Sequence, residues 1–205
     1  RETRRTREAV LYLMARAARP YGARGPKAAK GYCGPQYDDF EIARGWKVNA
    51  RGTDTAGDGR WQRGDPVKGA FQLGSAASGQ SVLVTGRQPG HDVDGGSTTV
   101  RSPYFTVPAN GRGRLKLRYW VGLSANAGAD DGLAVRLVDT EGRRIKVLHK
   151  VGGNGRKQRP VWRSLDKVLP RALAGSRVAI EIEAVDAGPN AMVEAGIDQV
   201  RVTSR

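Results

Sequence analysis

Seven of the 20 acidic side chains of this 205-residue sequence lie in three short motifs. Asp38, Asp39 and Glu41 lie in "YDDFE", Asp92 and Asp94 in "HDVDGGSTTVRSP", and Glu194 and Asp198 in "EAGIDQV". Such groups suit a hard cation, because Ca2+ takes six to eight oxygens and accepts backbone carbonyls as readily as carboxylates. No helix-loop-helix calcium loop is present: counted from Asp92, Gly96 and Pro103 stand where that pattern needs oxygen ligands. The expectation is instead a structural calcium assembled from separate strand ends, with Glu41, Asp92, Asp94 and Asp198 as side-chain ligands. A second reading stays open for each. Asp92 and Asp94 also suit a turn in which aspartate bonds its own backbone, while Glu41 and Asp198 also suit surface charge or ion pairs with arginines. A rival cluster lies in "TDTAGDGRWQRGD", where Asp54, Asp58 and Asp65 have calcium-loop spacing but Ala56 replaces a ligand.

Other chemistry finds less support. Zinc needs His or Cys on one scaffold, yet His91, His149 and Cys33 are far apart in sequence. Ser75, Ser78, Ser81 and Ser102 all lie outside a G-x-S-x-G elbow, and only two histidines are available to a triad. "GNGRKQR", Asn154 to Arg159, lacks phosphate-loop spacing and reads as a solvated basic hairpin turn. Trp120 stands in the polar register of its strand, between Arg118 and Gly122. There an exposed ring would stack on a sugar or a peptide; the other reading is a ring covered by a loop or a neighbouring sheet. Trp46, Trp61 and Trp162, set among Gly, Pro and Arg, are expected to cap the ends of the fold.

The elements that must position these residues change character along the chain. Residues 2–19 carry Val10, Leu13, Met14 and Ala17 at helical spacing, with Pro20 as the stop. Residues 1–20 are therefore expected to be an amphipathic helix packed on a neighbouring domain, and 21–37 a Gly/Pro/Lys linker holding a spare thiol, Cys33. Beyond this the period falls to 2. "RLKLRYWVGL" alternates Leu115, Leu117, Tyr119, Val121 and Leu123 against polar residues, and "RVAIEIEAV" does the same with Val178, Ile180 and Ile182. Shorter candidate strands are 40–42, 46–48, 70–73, 82–85, 98–101, 133–138, 145–148 and 200–203. With no helices between them, parallel crossovers are excluded. The spacing predicts that residues 38–205 form an all-β, antiparallel, two-sheet jelly-roll sandwich of the galactose-binding-like kind.

Charge and hydropathy narrow the partners. The net charge is +15, with about half of the excess in residues 1–37. Arg outnumbers Lys, but no recognition helix or zinc finger accompanies it, so nucleic acid is not expected as a partner. The longest apolar run, Ala9 to Ala15, falls far short of the roughly 20 residues of a membrane helix. A chain starting at Arg1 without an initiator Met is expected to be a segment of a longer protein.

The motifs carry a resemblance in two places. "RETRRTREAVLYLMARAARP" resembles the closing helix of the catalytic domain in secreted zinc carboxypeptidases of the carboxypeptidase T kind. "DDFE", "GW", "GTDTAGDGRWQRGDP", "FQLG", "VLVTG", "DVDGG", "SP" and "VEAGIDQVRV" resemble, in that order, the β-sandwich appended to bacterial enzymes of this class. The resemblance implies a secreted, non-catalytic C-terminal accessory module that stabilises or targets its parent. Its partners would be an upstream peptidase domain and extracellular protein or polysaccharide. The family's H-x-x-E zinc pattern is absent: His91 is followed by "DVD" and His149 by "KVG". Glu2 and Glu8 do not take the family's catalytic role, so the chain is expected to be catalytically inert. The other open reading is a stand-alone carbohydrate- or protein-binding β-sandwich.

Overall fold

The computed structural model describes residues 34–188 and 191–204. The expected N-terminal helix, most of the linker and Cys33 lie outside the described residues. Among the described residues there are twelve strands: β1 (Gln36–Asp38), β2 (Lys47–Val48), β3 (Trp61–Gly64), β4 (Val82–Thr85), β5 (Gly96–Arg101), β6 (Phe105–Thr106), β7 (Arg114–Leu123), β8 (Gly132–Val138), β9 (Arg144–Gly152), β10 (Arg163–Val168), β11 (Arg177–Asp186) and β12 (Val193–Thr203). The helical element among the described residues is one 3-10 turn, Arg171–Leu173. The first sheet runs β10-β7-β12-β4-β3, with β1 also paired to β12; the second runs β2-β5-β11-β8-β9, with β6 also paired to β11. Every pairing is antiparallel. The fold is the all-β, two-sheet jelly-roll sandwich that the period-2 pattern calls for.

The alternation works as the strand period requires. Leu115, Leu117, Tyr119, Val121 and Leu123 of β7 meet Val178, Ile180, Ile182 and Ala184 of β11 in one core between the sheets. In β12 the inward set is Val193, Ala195 and Ile197, then Val200 and Val202. The phase slips by one residue because a bulge lies between Asp198 and Arg201, where Gln199 takes φ 52. A one-residue insertion exchanges the faces of a strand, so the bulge keeps both halves of β12 apolar on the inside.

Several expected boundaries change. Residues 40–42 are not a strand: Phe40 sits at φ 58, outside extended geometry. Residues 70–73 are not a strand either, but part of a loop laid across the outer face of the first sheet. There a Cβ on Gly122 would stand 2.0 Å from the Phe71 carbonyl oxygen. The 200–203 strand extends back to Val193, and 145–148 grows into the nine-residue β9. Strands β3, β6 and β10 lack a strong alternating signal, since β3 reads "WQRG" and β10 "RSLDKV". Residues 154–159 do not close a hairpin. They cross from β9 of the second sheet to β10 of the first, and Gln158 exchanges backbone hydrogen bonds with Leu123 on the way.

The "GDG" of the rival cluster is explained by packing. Gly59 has φ +64, and a Cβ there would stand 2.2 Å from the backbone of Asp92. Gly52 has a similar φ of +70 with nothing within 4 Å. Gly52→Ala should therefore cost only the left-handed backbone penalty, about 1–2 kcal/mol. Gly59→Ala should cost clearly more, because backbone rather than a flexible side chain must move. Chemical denaturation of the two variants side by side checks the order.

Candidate functional site

The four expected calcium ligands do not converge. Asp198 on β12 is fully buried; its Oδ2 accepts from the Ser78 N–H at 2.9 Å and its Oδ1 from the Gln199 N–H at 2.6 Å. Glu41 Oε1 accepts from the N–H groups of Gln80 and Ser81 at 3.0 and 2.8 Å. Both carboxylates thus hold one loop, residues 77–81, against the first sheet. Asp92 belongs to the other end of β12, where its Oδ2 accepts from the Val193 N–H at 3.4 Å. Val193 and Asp198 are five residues apart on a strand rising about 3.3 Å per residue, so the two sites are roughly 16 Å apart. Asp94 is exposed, and its backbone bridges to Asp58. Among the described residues no group of three or more His, Cys, Asp or Glu is arranged to hold a metal ion. In the rival cluster, Asp54 accepts from Thr99 and Thr98, and Asp58 bonds the His91 ring at 2.7 Å.

The "DDFE" and "GW" motifs meet in one hydrogen-bond hub. Buried Asp38 accepts from the Phe40 N–H through Oδ1 and from the Trp46 indole through Oδ2, each at 2.8 Å. The rings of Phe40 and Trp46 pack with centroids 5.3 Å apart. Arg63 donates to the Phe40 carbonyl at 3.0 Å. These partners hold Phe40 in its positive-φ conformation, which an isolated bulky residue avoids.

Trp120 corrects the platform expectation. It is fully buried, packed with Val82 and Val84 and covered by Leu73, Ala76 and Trp162, with the two indoles edge to face at 6.5 Å. Its strand register is the outer one, but the 66–81 loop covers that part of the sheet. Trp162 helps anchor the loop by donating to the Ser75 carbonyl. Gly196, the cross-strand partner of Trp120, leaves room for the indole, since a Cβ there would stand 2.3 Å from Nε1.

A polar surface of a different kind occupies the outer face of the second sheet. Glu181 and Glu183 of β11 are buried beneath Arg101 of β5, Arg136 of β8 and Arg144 of β9. Arg101 meets Glu181 at 2.8 Å and Arg136 meets Glu183 at 2.5 Å, while Arg144 reaches Glu181 at 3.2 Å and Glu183 at 2.6 Å. Charge-assisted pairs of this kind fix both partners in place. Beside them lies a cavity of about 200 Å³ whose polar lining is Asp130, Arg136, Lys150 and Glu183. It is smaller than a pocket for a drug-sized ligand and suits a small polar group of a longer chain. The "EIE" of β11 reads in sequence only as a solvated strand face. The partner arginines come from three other strands, and no local spacing reveals them.

Three further carboxyl groups sit out of water. Glu194 is pushed up to about 7 by burial and by the nearby Asp92, and Asp186 to about 6 by burial and by Asp131. Asp198 rises to about 7 through burial, against the N–H groups that favour its charged form. A carboxyl whose folded-state pKa is raised adds stability that is complete below its unfolded value, about 4.3 for Glu, and lost as pH rises through about 7. Glu194→Gln should therefore nearly match wild type at pH 4. At pH 8 it should exceed wild type by about 3–4 kcal/mol, a Tm difference of roughly 7–14 °C. Thermal melts at both pH values test this. Trp120→Ala should lower Tm by about 10 °C in any buffer, as expected for a buried aromatic and not for an exposed ligand platform.

No family model matches the chain, and no curated protein matches it. Solved structures do resemble it. Two cleaved adhesin domains of Lys-gingipain from Porphyromonas gingivalis each cover 83% of this chain over 98% of their own length, at 18% and 17% identity and TM-scores of 0.53 and 0.50. A carbohydrate-binding module of the β-sandwich superfamily covers 83% of this chain over 62% of its own, at 11% identity and a TM-score of 0.48. At these identities the likeness is one of fold. The described chain has the jelly-roll β-sandwich architecture found in the adhesin domains.

Proposed function

We propose that the domain is a non-catalytic binding module for extracellular polysaccharide, with the outer face of the second sheet as its ligand surface. The observation that carries this reading is the rigid Arg–Glu network of β5, β8, β9 and β11 beside its cavity. Donors from Arg136 and Lys150 and acceptors from Asp130 and Glu183 are suited to sugar hydroxyls, which both donate and accept. The adhesin fold supports the reading without specifying a ligand. No helix among the described residues is long and apolar enough to cross a membrane.

A narrower reading rests on the sequence resemblance alone. The module would be the C-terminal accessory of a secreted zinc carboxypeptidase, holding that enzyme near its substrate material. Coding sequence upstream of Arg1 with an H-x-x-E motif and a later histidine would support it; an unrelated upstream reading frame would remove it.

The polysaccharide reading is tested by affinity electrophoresis in gels containing neutral polysaccharides. Asp130 and Lys150 are exposed on the cavity rim and joined to each other at 3.3 Å, so their removal spares the core. Asp130→Ala and Lys150→Ala should each weaken retardation about tenfold, in line with the 1–3 kcal/mol scale of a lost hydrogen bond to a charged group, while Tm stays within about 2 °C of wild type. Unretarded wild type, or equal retardation of all three proteins, rejects the assignment.

A further inference from the structure

The outer face of the first sheet carries a separate polar cleft of about 220 Å³ at the end away from Trp120, lined on its polar side by Lys116, Arg118, Ser164, Asp166, Gln199 and Arg201. Strand register places these side chains together. Lys116 and Arg118 of β7 stand opposite Asp166 and Ser164 of β10 on one side, and Lys116 stands opposite Arg201 of β12 on the other. Like charges directly opposite each other across a ladder repel, so the Lys116–Arg201 pair needs a counter-charge.

Protein carboxylates supply that charge only in part. Asp166 pairs with Arg114 at 2.8 Å and with Lys116 at 3.4 Å. Asp198, the cross-strand partner of Arg118, spends its oxygens on the N–H groups of Ser78 and Gln199 instead. Among the described residues neither Arg118 nor Arg201 forms an ion pair, and Arg118 Nε is buried without a hydrogen-bond acceptor. The β12 bulge borders this cleft, with Gln199 held at φ 52 by the Asp198 carboxylate. Bulges beside sites re-aim side chains, and this one restores Arg201 to the face that Lys116 occupies.

We infer that the cleft of Lys116, Arg118 and Arg201 is an oxyanion-binding site for the sulfate or carboxylate groups of an acidic polysaccharide. Guanidinium groups match such planar or tetrahedral oxyanions with paired N–H donors, and Ser164 and Gln199 add neutral ones. A nucleic acid is the less suitable ligand. Asp166 interrupts the basic face, so a continuous track for successive phosphates is missing. This site is independent of the surface assigned to neutral polysaccharide, being on the opposite sheet.

Binding of the full chain to chondroitin sulfate, polygalacturonate, a neutral dextran and duplex DNA, measured by titration calorimetry in 50 and 200 mM salt, tests the inference. The expected result is binding to at least one acidic polysaccharide, weakened at higher salt, with no binding to dextran at this site. Arg118→Gln and Arg201→Gln should each weaken that binding at least tenfold. Arg51→Gln, which removes the same charge from an exposed turn, should change it less than twofold. Arg201 is exposed, so its variant stays informative if Arg118→Gln fails to fold. Equal losses in Arg51→Gln would show a general charge effect and overturn the site. So would absence of acidic-polysaccharide binding by wild type, or tighter binding of DNA through the same two arginines. Arg118→Gln and Arg201→Gln should leave retardation by neutral polysaccharide unchanged, which separates a failure here from a failure of the neutral-glycan surface.

Discussion

Strand β12 is the element on which the first sheet depends. Its backbone must satisfy partners along both edges, with β7 on one side and with β4 and β1 on the other. An eleven-residue strand in that position has to be apolar inward along its whole length, yet it also has to bend where its partner changes from β4 to β1. The Asp198 carboxylate reconciles the two demands. It holds the bulge through Gln199 and the covering loop through Ser78. The closure of the N-terminal β1 onto β12 follows from that bend.

The same economy explains most of the acidic motifs. Asp38 serves the Phe40 N–H and the Trp46 indole, Glu41 serves Gln80 and Ser81, and Asp54 serves Thr98 and Thr99. Loops of this protein are long and rich in glycine, and their N–H groups have few ladder partners. A carboxylate that accepts two such groups costs less to bury than an unpaired one. Clusters that suggest an ion in sequence are thus dispersed by the fold among separate backbone donors. Glu194 is an exception, since its Oε2 accepts no hydrogen bond among the described residues.

The two outer faces have diverged in how they treat charge. On the second sheet, Glu181 and Glu183 neutralise most of three arginines and leave a firm, nearly balanced polar wall. On the first, a loop anchored by Trp162 covers the apolar end around Trp120, and the uncovered end keeps more cations than carboxylates. One face is therefore suited to many weak hydroxyl contacts and the other to a few strong ionic ones.

By itself the sequence determined the class of fold, because period-2 alternation in β7 and β11 and the lack of intervening helices leave antiparallel sheets as the way to bury the apolar residues. The short, half-exposed β3, β6 and β10 were not legible, since edge strands need little apolar patterning. Tertiary structure alone decided the sites. Trp120 and Lys116 share one strand and one register, yet the first is fully buried beneath a loop and the second faces an open cleft. Asp92 and Asp198 have the same chemistry and belong to one strand's neighbourhood, yet the rise of that strand keeps them too far apart to share an ion. Exposure and convergence depend on which distant segments pack together, and local residue spacing does not encode that.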